Sequence, residues 1–483
     1  MTSLGIDVGT SGLRGLLIGE DGGVVGSAER SYSATSRQPG WSEQDPADWI
    51  AALNETVDEL RQKFPSFSQL RGIGVAGHMH GATLLDAAGE VLRPCILWND
   101  TRSHVEAARL DSTDGVRATS GNIVFPGFTA PKLEWVRKHE PETYAKVHKV
   151  LLPAAYLNYY LTGDFVADMS DSAGTSWLDA GERAWSGHLL NASNMRLDQM
   201  PRLVEGSEAA GTLRAKLQSD WGLDGAVTVA GGAGDNAASA CGIGALNAGQ
   251  GFVSLGTSGV LLAARDGYRP APETALHTFC HAVPDRWYQM GVMLSATDSL
   301  NWLSRMVGKK PSELTAALGE TIQPPQDVRF LPYLSGERTP HNDPEIRGSF
   351  TGLSIATTQE DLTRAVLEGV AFGLRDSFEA LKATDAKLTD VFAIGGGSAS
   401  RYWLQVIATL MDMPLKLPGS SEFGGAMGAA KLGQIAATGA PVEGVISVPE
   451  VQAEIEPVRA LSDAFEEKYQ AYRRAYGGIK AIQ

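Results

Sequence analysis

The chain of 483 residues is 43% hydrophobic and 20% charged, with a formal net charge of −15. That length exceeds one ordinary hydrophobic core and predicts two large domains, and the negative charge argues against non-specific partnership with nucleic acid or an anionic membrane. Cys95, Cys241 and Cys280 show no disulfide-framework or metal-finger spacing, the opening has no signal-peptide pattern, and no apolar run approaches the roughly 20 residues that span a bilayer, so a reduced, cytoplasmic protein is expected.

Residues 4–8 read as a buried strand, 13–18 as a second and 24–31 as a third, with Gly-Thr-Ser-Gly and Gly-Glu-Asp-Gly-Gly as the turns between them. This is a strand meander. A dinucleotide fingerprint needs its glycine turn to open a helix, and none follows here; a P-loop signature is also absent. Residues 45–61 predict a helix, with Trp49, Leu53, Val57 and Leu60 at helical spacing. A short strand at 71–76 leads into GHMHG (77–81), a strand at 83–85, a turn at 86–89 and the strand-and-loop PCILWNDTR. Residues 130–161 read as mainly helical. From Gly225, GAVTVAGGAGDNAASACGIGAL reads as strand, glycine turn and small-residue helix.

The opening then returns half a chain later. FVSLGTSGVLLAA (252–264) repeats the strand–turn–strand of GIDVGTSGLRGLL, so that Gly9-Thr10-Ser11-Gly12 reappears as Gly256-Thr257-Ser258-Gly259. A duplicated lobe is expected, with Asp7 of the first copy aligned on Ser254 of the second. Beyond it come the polar loop FLPYLSGERTPHNDPEIRG (330–348) and a helix at 359–383. A strand, glycine turn and helix follow in DVFAIGGGSASRYW, the helix burying Trp403, Val406, Ile407 and Leu410. SSEFGGAMGAAKLGQIAAT, from Ser420, reads as a small-residue helix able to pack close to a ligand or another helix. Residues 460–476 read as an exposed amphipathic helix.

Two such hairpins facing across a cleft would offer backbone N–H groups and hydroxyls to phosphate, with glycine allowing close approach and unusual φ values. Asp7, in an apolar strand, is costly to bury unless a cation or donors meet it, and Mg²⁺ beside the phosphates would do so. Asp235 at the start of its helix reads either as an N-cap or as a general base that takes a proton from an attacking hydroxyl. His78 and His80 in GHMHG, two residues apart, would share one side of a strand as metal ligands; no third ligand is near, which favours hydrogen bonding to a sugar, with Met79 as an apolar wall.

Together these stretches resemble the FGGY carbohydrate kinases of the actin, sugar-kinase and Hsp70 superfamily, most closely the xylulokinases. The resemblance runs from about residue 4 to about residue 439 and is carried by GIDVGTSG, WSEQDP, GHMHGATLLD, LRPCILWNDTR, PGFTAPKLEWV, DMSDSAGTSWLD, GAGDNAA, SLGTSGV, LPYLSGERTPHNDP and AIGGGSASRYW. It implies an α/β fold of two duplicated ribonuclease-H-like (actin-like ATPase) lobes around a central cleft. Residues 1–245 would hold the sugar and the catalytic base, and 246–483 the nucleotide.

The implied reaction is ATP-dependent, Mg²⁺-assisted phosphorylation of a ketopentose, D-xylulose to D-xylulose 5-phosphate, by a homodimer. Asp235 is the implied proton acceptor and Asp7 acts near the metal. Met79, His80 and Asn236 contact the sugar, Trp98 and Asp100 build its wall, Thr10, Gly256 and Thr257 hold phosphate, and Gly396, Gly397 and Ser400 face the adenosine. The Arg-Glu pair that glycerol kinases carry at the sugar has no equivalent in GHMHG. His78 stands where xylulokinases commonly have Gln. The alternatives are a related kinase for ribulose, fuculose or gluconate and, from a different class, a nucleotide switch of the same superfamily, which would leave GHMHG and GDN idle.

Overall fold

The computed structural model describes residues 1–419 and 424–483; residues 420–423, the first four of the predicted small-residue helix, lie outside it. The meander forms as expected: Thr2–Val8, Gly12–Gly19 and Val24–Ser31 run antiparallel in sequence order. Helix Pro46–Lys63 follows, started by Asp45, which accepts from the Ala47 N–H at 2.9 Å, and by proline at its first position. It buries Trp49, Leu53, Val57 and Leu60 with Leu4, Ile6 and Val8 of the first strand. Leu70–Gly77 then lies parallel to the first strand, and Thr228–Ala230 parallel to Leu70–Gly77. Ala209–Thr212 closes the edge antiparallel.

The second sheet repeats this plan. Gln250–Leu255, Gly259–Arg265 and Trp287–Met293 form an antiparallel meander, Asp390–Ile394 and Leu415–Pro418 add in parallel, and Val451–Ile455 closes the edge. Each sheet has seven strands among the described residues. The echo of Gly-Thr-Ser-Gly is therefore the echo of a whole lobe, and the chain is an α/β protein of two actin-like lobes. Their turns differ by one residue: Val8 pairs with Leu13 in the first copy, whereas Leu255 pairs with Gly259 in the second.

Two short helices cross between the sheets and join the lobes. Gly425–Thr438 comes late in the chain yet lies on the first sheet. A Cβ on Gly5, Gly72 or Gly74 would run into the carbonyl oxygens of Ala426, Gly433 and Ala429. On its other side it meets Asp235–Gly242, where a Cβ on Gly428 would strike the Ala238 carbonyl. Asp235–Gly242 in turn places Ala237, Ala238 and Cys241 in one apolar cluster with Phe252 and Phe392 of the second sheet. Lys431 Nζ donates to the Gly242 carbonyl at 2.9 Å across the pair. Small residues and glycine are thus required here because backbone packs on backbone.

Three expectations change. The span 130–161 is two main helices, Thr129–His139 and Pro153–Thr162, separated by the short helix Pro141–Tyr144 and by strand Lys149–Leu151, which pairs with Thr83–Leu85. Two prolines restart the chain there, and a tertiary strand partner outweighs local helical periodicity. The polar loop 330–348 begins in a strand, Arg329–Leu331, paired with Ser349–Thr351. The C-terminal helix, Ser462–Lys480, is not simply exposed, since Phe465, Tyr469 and Tyr472 are fully buried in the second core. No helix of the described residues is long and apolar enough to cross a membrane.

The glycine contact between sheet and helix sets a measurable cost. Gly5→Ala should destabilise by about 3 kcal/mol through overpacking, whereas Gly444→Ala, whose Cβ meets nothing within 4 Å, should change stability by less than about 0.5 kcal/mol. Denaturant midpoints check this; equal effects at both positions would remove close approach as the constraint.

Candidate active site

A cavity of about 120 Å³ opens on the seam between the lobes. Met79, His80, Trp98, Gly127 and Phe128 line it from the first half, Ser258, Val260, Met290, Val292 and Arg338 from the second, and Asp235 and Asn236 from the crossing helix.

The strand Leu70–Gly77 ends on the first residue of GHMHG, and His80 takes a left-handed backbone, φ 70°. Strand alternation therefore does not apply, and the two histidines part. The His78 ring goes into the first core, edge-on to Trp49 at 5.6 Å, and neither ring nitrogen has a hydrogen-bond partner among the described residues. His80 faces the cavity, stacked on Phe128 at 4.4 Å. Its Nδ1 is 2.7 Å from the Gly174 carbonyl, so Nδ1 carries the proton and Nε2 is left as an acceptor. Burial holds the ring neutral, its pKa lowered to about 3. The His80 carbonyl accepts from Lys132 Nζ (2.7 Å) and Thr129 Oγ1 (3.2 Å), which fixes the turn. Gly174 is glycine for a steric reason, since a Cβ there would lie 2.5 Å from His80 Nδ1. Met79 forms the apolar wall, and the Tyr288 hydroxyl donates to its sulfur at 3.8 Å.

Asp235 is the first helical residue and Gly234 occupies the N-cap, so the N-cap reading of Asp235 does not hold. Its Oδ1 accepts from the Asn236 N–H (2.7 Å) and Nδ2 (2.9 Å), and Oδ2 has no hydrogen-bond partner among the described residues. Burial raises its pKa to about 6, against the Asn236 bonds that lower it. The peptide before it is held from behind: the Gly234 N–H donates to Ser170 Oγ (3.1 Å), and Ser170 Oγ donates to Asp168 Oδ1 (2.5 Å).

Asp7 is raised to about 7, first by burial and then by the Asp235 charge, with Arg14 opposing. Its carboxylate rests on the start of helix Gly425–Thr438, where a Cβ on Gly425 would be 2.7 Å from Oδ2. The first turn lies beside it: the Gly9 N–H donates to the Gly12 carbonyl (2.9 Å), and Thr10 Oγ1 accepts from Trp98 Nε1 (2.9 Å). In the second turn Ser258 lines the cavity, while the Gly256 carbonyl accepts from the N–H (2.9 Å) and Oγ1 (2.7 Å) of Thr297. Thr257 is exposed at the tip. None of the four turn glycines takes a positive φ, so the expected unusual dihedrals are not why they are glycine. Gly12 and Gly259 instead allow the third strand to approach: a Cβ would lie 2.6 Å from the Arg30 carbonyl oxygen and 2.7 Å from Met293 Cγ respectively.

Thr297 also lines a second cavity, of about 720 Å³, with Gly396, Gly397, Ser400, Lys310 and Arg401. That is the size of a pocket for a nucleotide-sized ligand. Ser400 caps helix Arg401–Met411, accepting from the Trp403 N–H at 3.3 Å, and Gly397 leaves room for the Trp403 ring, 3.1 Å from where its Cβ would be. The second turn thus stands between the two cavities, touching one through Ser258 and the other through Thr297.

Asp100 is not brought to the sugar-sized cavity. Its carboxylate is taken by the Ser42 N–H (2.6 Å) and by Arg102 (Nη2 at 2.7 Å), a pair buried under Trp41, so it holds the loop rather than forming the wall. Trp98, two residues earlier, is the part of LWNDTR that reaches the cavity. Sequence reasoning placed Ser258 only in a phosphate hairpin, and it missed Arg338, Lys132 and the Asp168–Ser170 support. Arg338 stood inside SGERTP and the support inside DMSDSAGT, both quoted without a role because nothing local shows where a loop docks.

The His80 geometry predicts a single Nδ1-protonated tautomer that does not titrate between pH 5 and 8, since its folded pKa lies near 3. Imidazole ¹⁵N shifts measured against pH check this; a titration midpoint inside that window would overturn the assignment.

The N-terminal domain of the FGGY family of carbohydrate kinases matches residues 2–242, and its C-terminal domain residues 251–437. The chain is 43% identical over 479 residues to the xylulose kinase of Escherichia coli K12, covering 98% of each. Among solved structures it is similar to a xyloylose kinase from Brucella ovis (55% identity, TM-score 0.98, 100% of both chains). It is also similar to the xylulose kinase of Rhodospirillum rubrum (28% identity, TM-score 0.91, 100% of this chain and 99% of that one). Two duplicated lobes, a cavity with an unbonded aspartate oxygen at their seam and these matches along most of the chain agree: the chain belongs to the FGGY family of carbohydrate kinases.

Proposed function

We propose that the protein transfers the γ-phosphoryl group of ATP to the C5 hydroxyl of D-xylulose, giving D-xylulose 5-phosphate. The observation that carries the reading is Asp235. Its Oδ2 has no hydrogen-bond partner among the described residues, and it lines a small cavity together with His80 and Ser258 of the second turn. The names of the similar proteins support xylulose as the acceptor.

The sugar lies on residues 1–245, against Met79, His80, Trp98 and Asn236. ATP lies on 246–483, with adenosine beside Gly396, Gly397 and Ser400 and phosphates between the turns at Thr10 and at Gly256–Thr257. Asp235 accepts the hydroxyl proton as the new phosphorus–oxygen bond forms and the γ-phosphorus bond to the bridging oxygen of the departing ADP breaks. Phosphoryl transfer passes through a loose transition state, so fixing the hydroxyl in line matters more than generating a full alkoxide. An Asp235 raised to about 6 suits this work, because it is ionised at neutral pH and still basic enough to take the proton. Asp7 fits a Mg²⁺ site, because its half-buried carboxylate is raised by the nearby Asp235 charge despite Arg14, a cost a further cation would offset, and Mg²⁺ in kinase sites takes one or two carboxylates plus phosphate oxygens. When bound, that ion neutralises charge on the β- and γ-phosphates. The free thiols of Cys95, Cys241 and Cys280, all buried, support a cytoplasmic setting.

Asp235→Asn should lower kcat by about 10²- to 10⁴-fold with the fold and ATP binding retained. Near-normal turnover would end the base assignment. In the unsubstituted enzyme, kcat/KM for the sugar should fall tenfold per unit below about pH 6 as Asp235 takes up its proton. A profile flat to pH 4.5 would contradict it. A panel of D-xylulose, ribulose, fuculose and gluconate in a coupled ADP-release assay tests the acceptor, with D-xylulose expected to give the highest kcat/KM.

A further inference from the structure

Arg338 stands in the sugar-sized cavity with no part in the reaction as described. Its loop is pinned on both sides. The Thr339 N–H donates to the Val292 carbonyl (3.0 Å) and Thr339 Oγ1 accepts from the Val292 N–H (3.0 Å). Glu337 Oε1 accepts from the N–H groups of Leu294 (3.1 Å) and Arg338 (2.8 Å). The residues flanking Arg338 are therefore tied to the end of strand Trp287–Met293, and its side chain starts from a fixed point.

The guanidinium lies over the Phe125 ring, 4.6 Å from its centroid, and Nη1 faces His277 Nε2 at 3.3 Å. That is its only side-chain hydrogen bond among the described residues, and no carboxylate lies within ion-pair distance. A guanidinium has five N–H donors in a rigid fork, so most of them are unused beside the cavity. Its charge also helps keep His80 and His277 neutral, which places it at the His80 part of the pocket.

A bound five-carbon sugar with its C5 hydroxyl at Asp235 runs its other end away from that carboxylate. In a 2-ketopentose that end carries a carbonyl oxygen, which only accepts hydrogen bonds, next to the C1 hydroxyl. Two neighbouring acceptors suit the fork. We infer that Arg338 is a substrate-binding residue that donates to the C2 carbonyl and C1 hydroxyl oxygens, the end of the sugar remote from the reacting hydroxyl. This rests on the proposed D-xylulose reaction. Because Arg338 comes from the half that carries the larger cavity, whereas His80 and Phe128 come from the other, a sugar held this way touches both lobes.

The test pairs a protein change with a substrate change in the full-length enzyme. Arg338→Met should lower kcat/KM for D-xylulose roughly 10- to 100-fold, mainly through KM, with the KM for ATP unchanged. With a pentane-1,2,3-triol of matching configuration, which lacks the C1 and C2 oxygens, the variant and the unsubstituted enzyme should have equal kcat/KM. Arg338→Lys, which keeps the charge and loses the fork, should show the same substrate dependence in smaller degree and serves if the Met variant does not fold. An equal penalty on both substrates, or no penalty on D-xylulose, would overturn the inference and leave the functional reading intact. An unsubstituted enzyme inert toward D-xylulose would overturn both.

Discussion

The contact on which the rest depends is backbone against backbone, where helix Gly425–Thr438 lies on glycines 5, 72 and 74 of the first sheet. It brings a late segment of the chain onto the early lobe and presses Asp235–Gly242 between the two sheets. Both crossing helices begin at the seam. One starts with Asp235, and the other starts against Asp7. The two carboxylates that matter most are thus set by the same close packing that joins the lobes. A larger side chain in that layer would push the helices apart and displace both.

That placement has an electrostatic consequence. Asp235 is near enough to Asp7 for its charge to raise the Asp7 pKa, and both are half-buried. Buried like charges are costly, and an ionised pair needs cations or donors to offset it. In the proposed reaction, a substrate hydroxyl at Asp235 and a cation with phosphate at Asp7 would relieve that cost. The neutral His80, fixed by Gly174 and Lys132, supplies acceptor capacity to the same cavity without adding another charge.

Much of the site could be read from short stretches whose chemistry is local. GIDVGTSG and its echo told of strand, turn and hydroxyls; GDN told of an acid at a helix start. What could not be read was direction. Asp100 and Trp98 sit two residues apart in one motif, yet only Trp98 reaches the cavity, because Arg102 and Ser42 draw the Asp100 carboxylate inward. His78 and His80 part in the same way, because the strand stops at Gly77 and a left-handed residue turns the chain. Arg338 and Ser170 were invisible because their partners, His277 and Gly234, lie 61 and 64 residues away in the chain.

The opening strand meander, its duplication and the identity of the candidate acids were determined by the sequence itself, since apolar runs, turn residues and a repeated motif are written along the chain. The turn glycines were legible as glycines, but their reason was not. None takes an unusual dihedral, and two of them, Gly12 and Gly259, admit a neighbouring strand, which is a property of the third strand's position. Tertiary structure alone decided that Asp7 and Asp235 are raised in pKa, which histidine faces the cavity, and that Arg338 reaches a pocket lined from both halves of the chain. Burial, field and line of approach depend on atoms brought together from distant parts of the chain, and no local pattern encodes them.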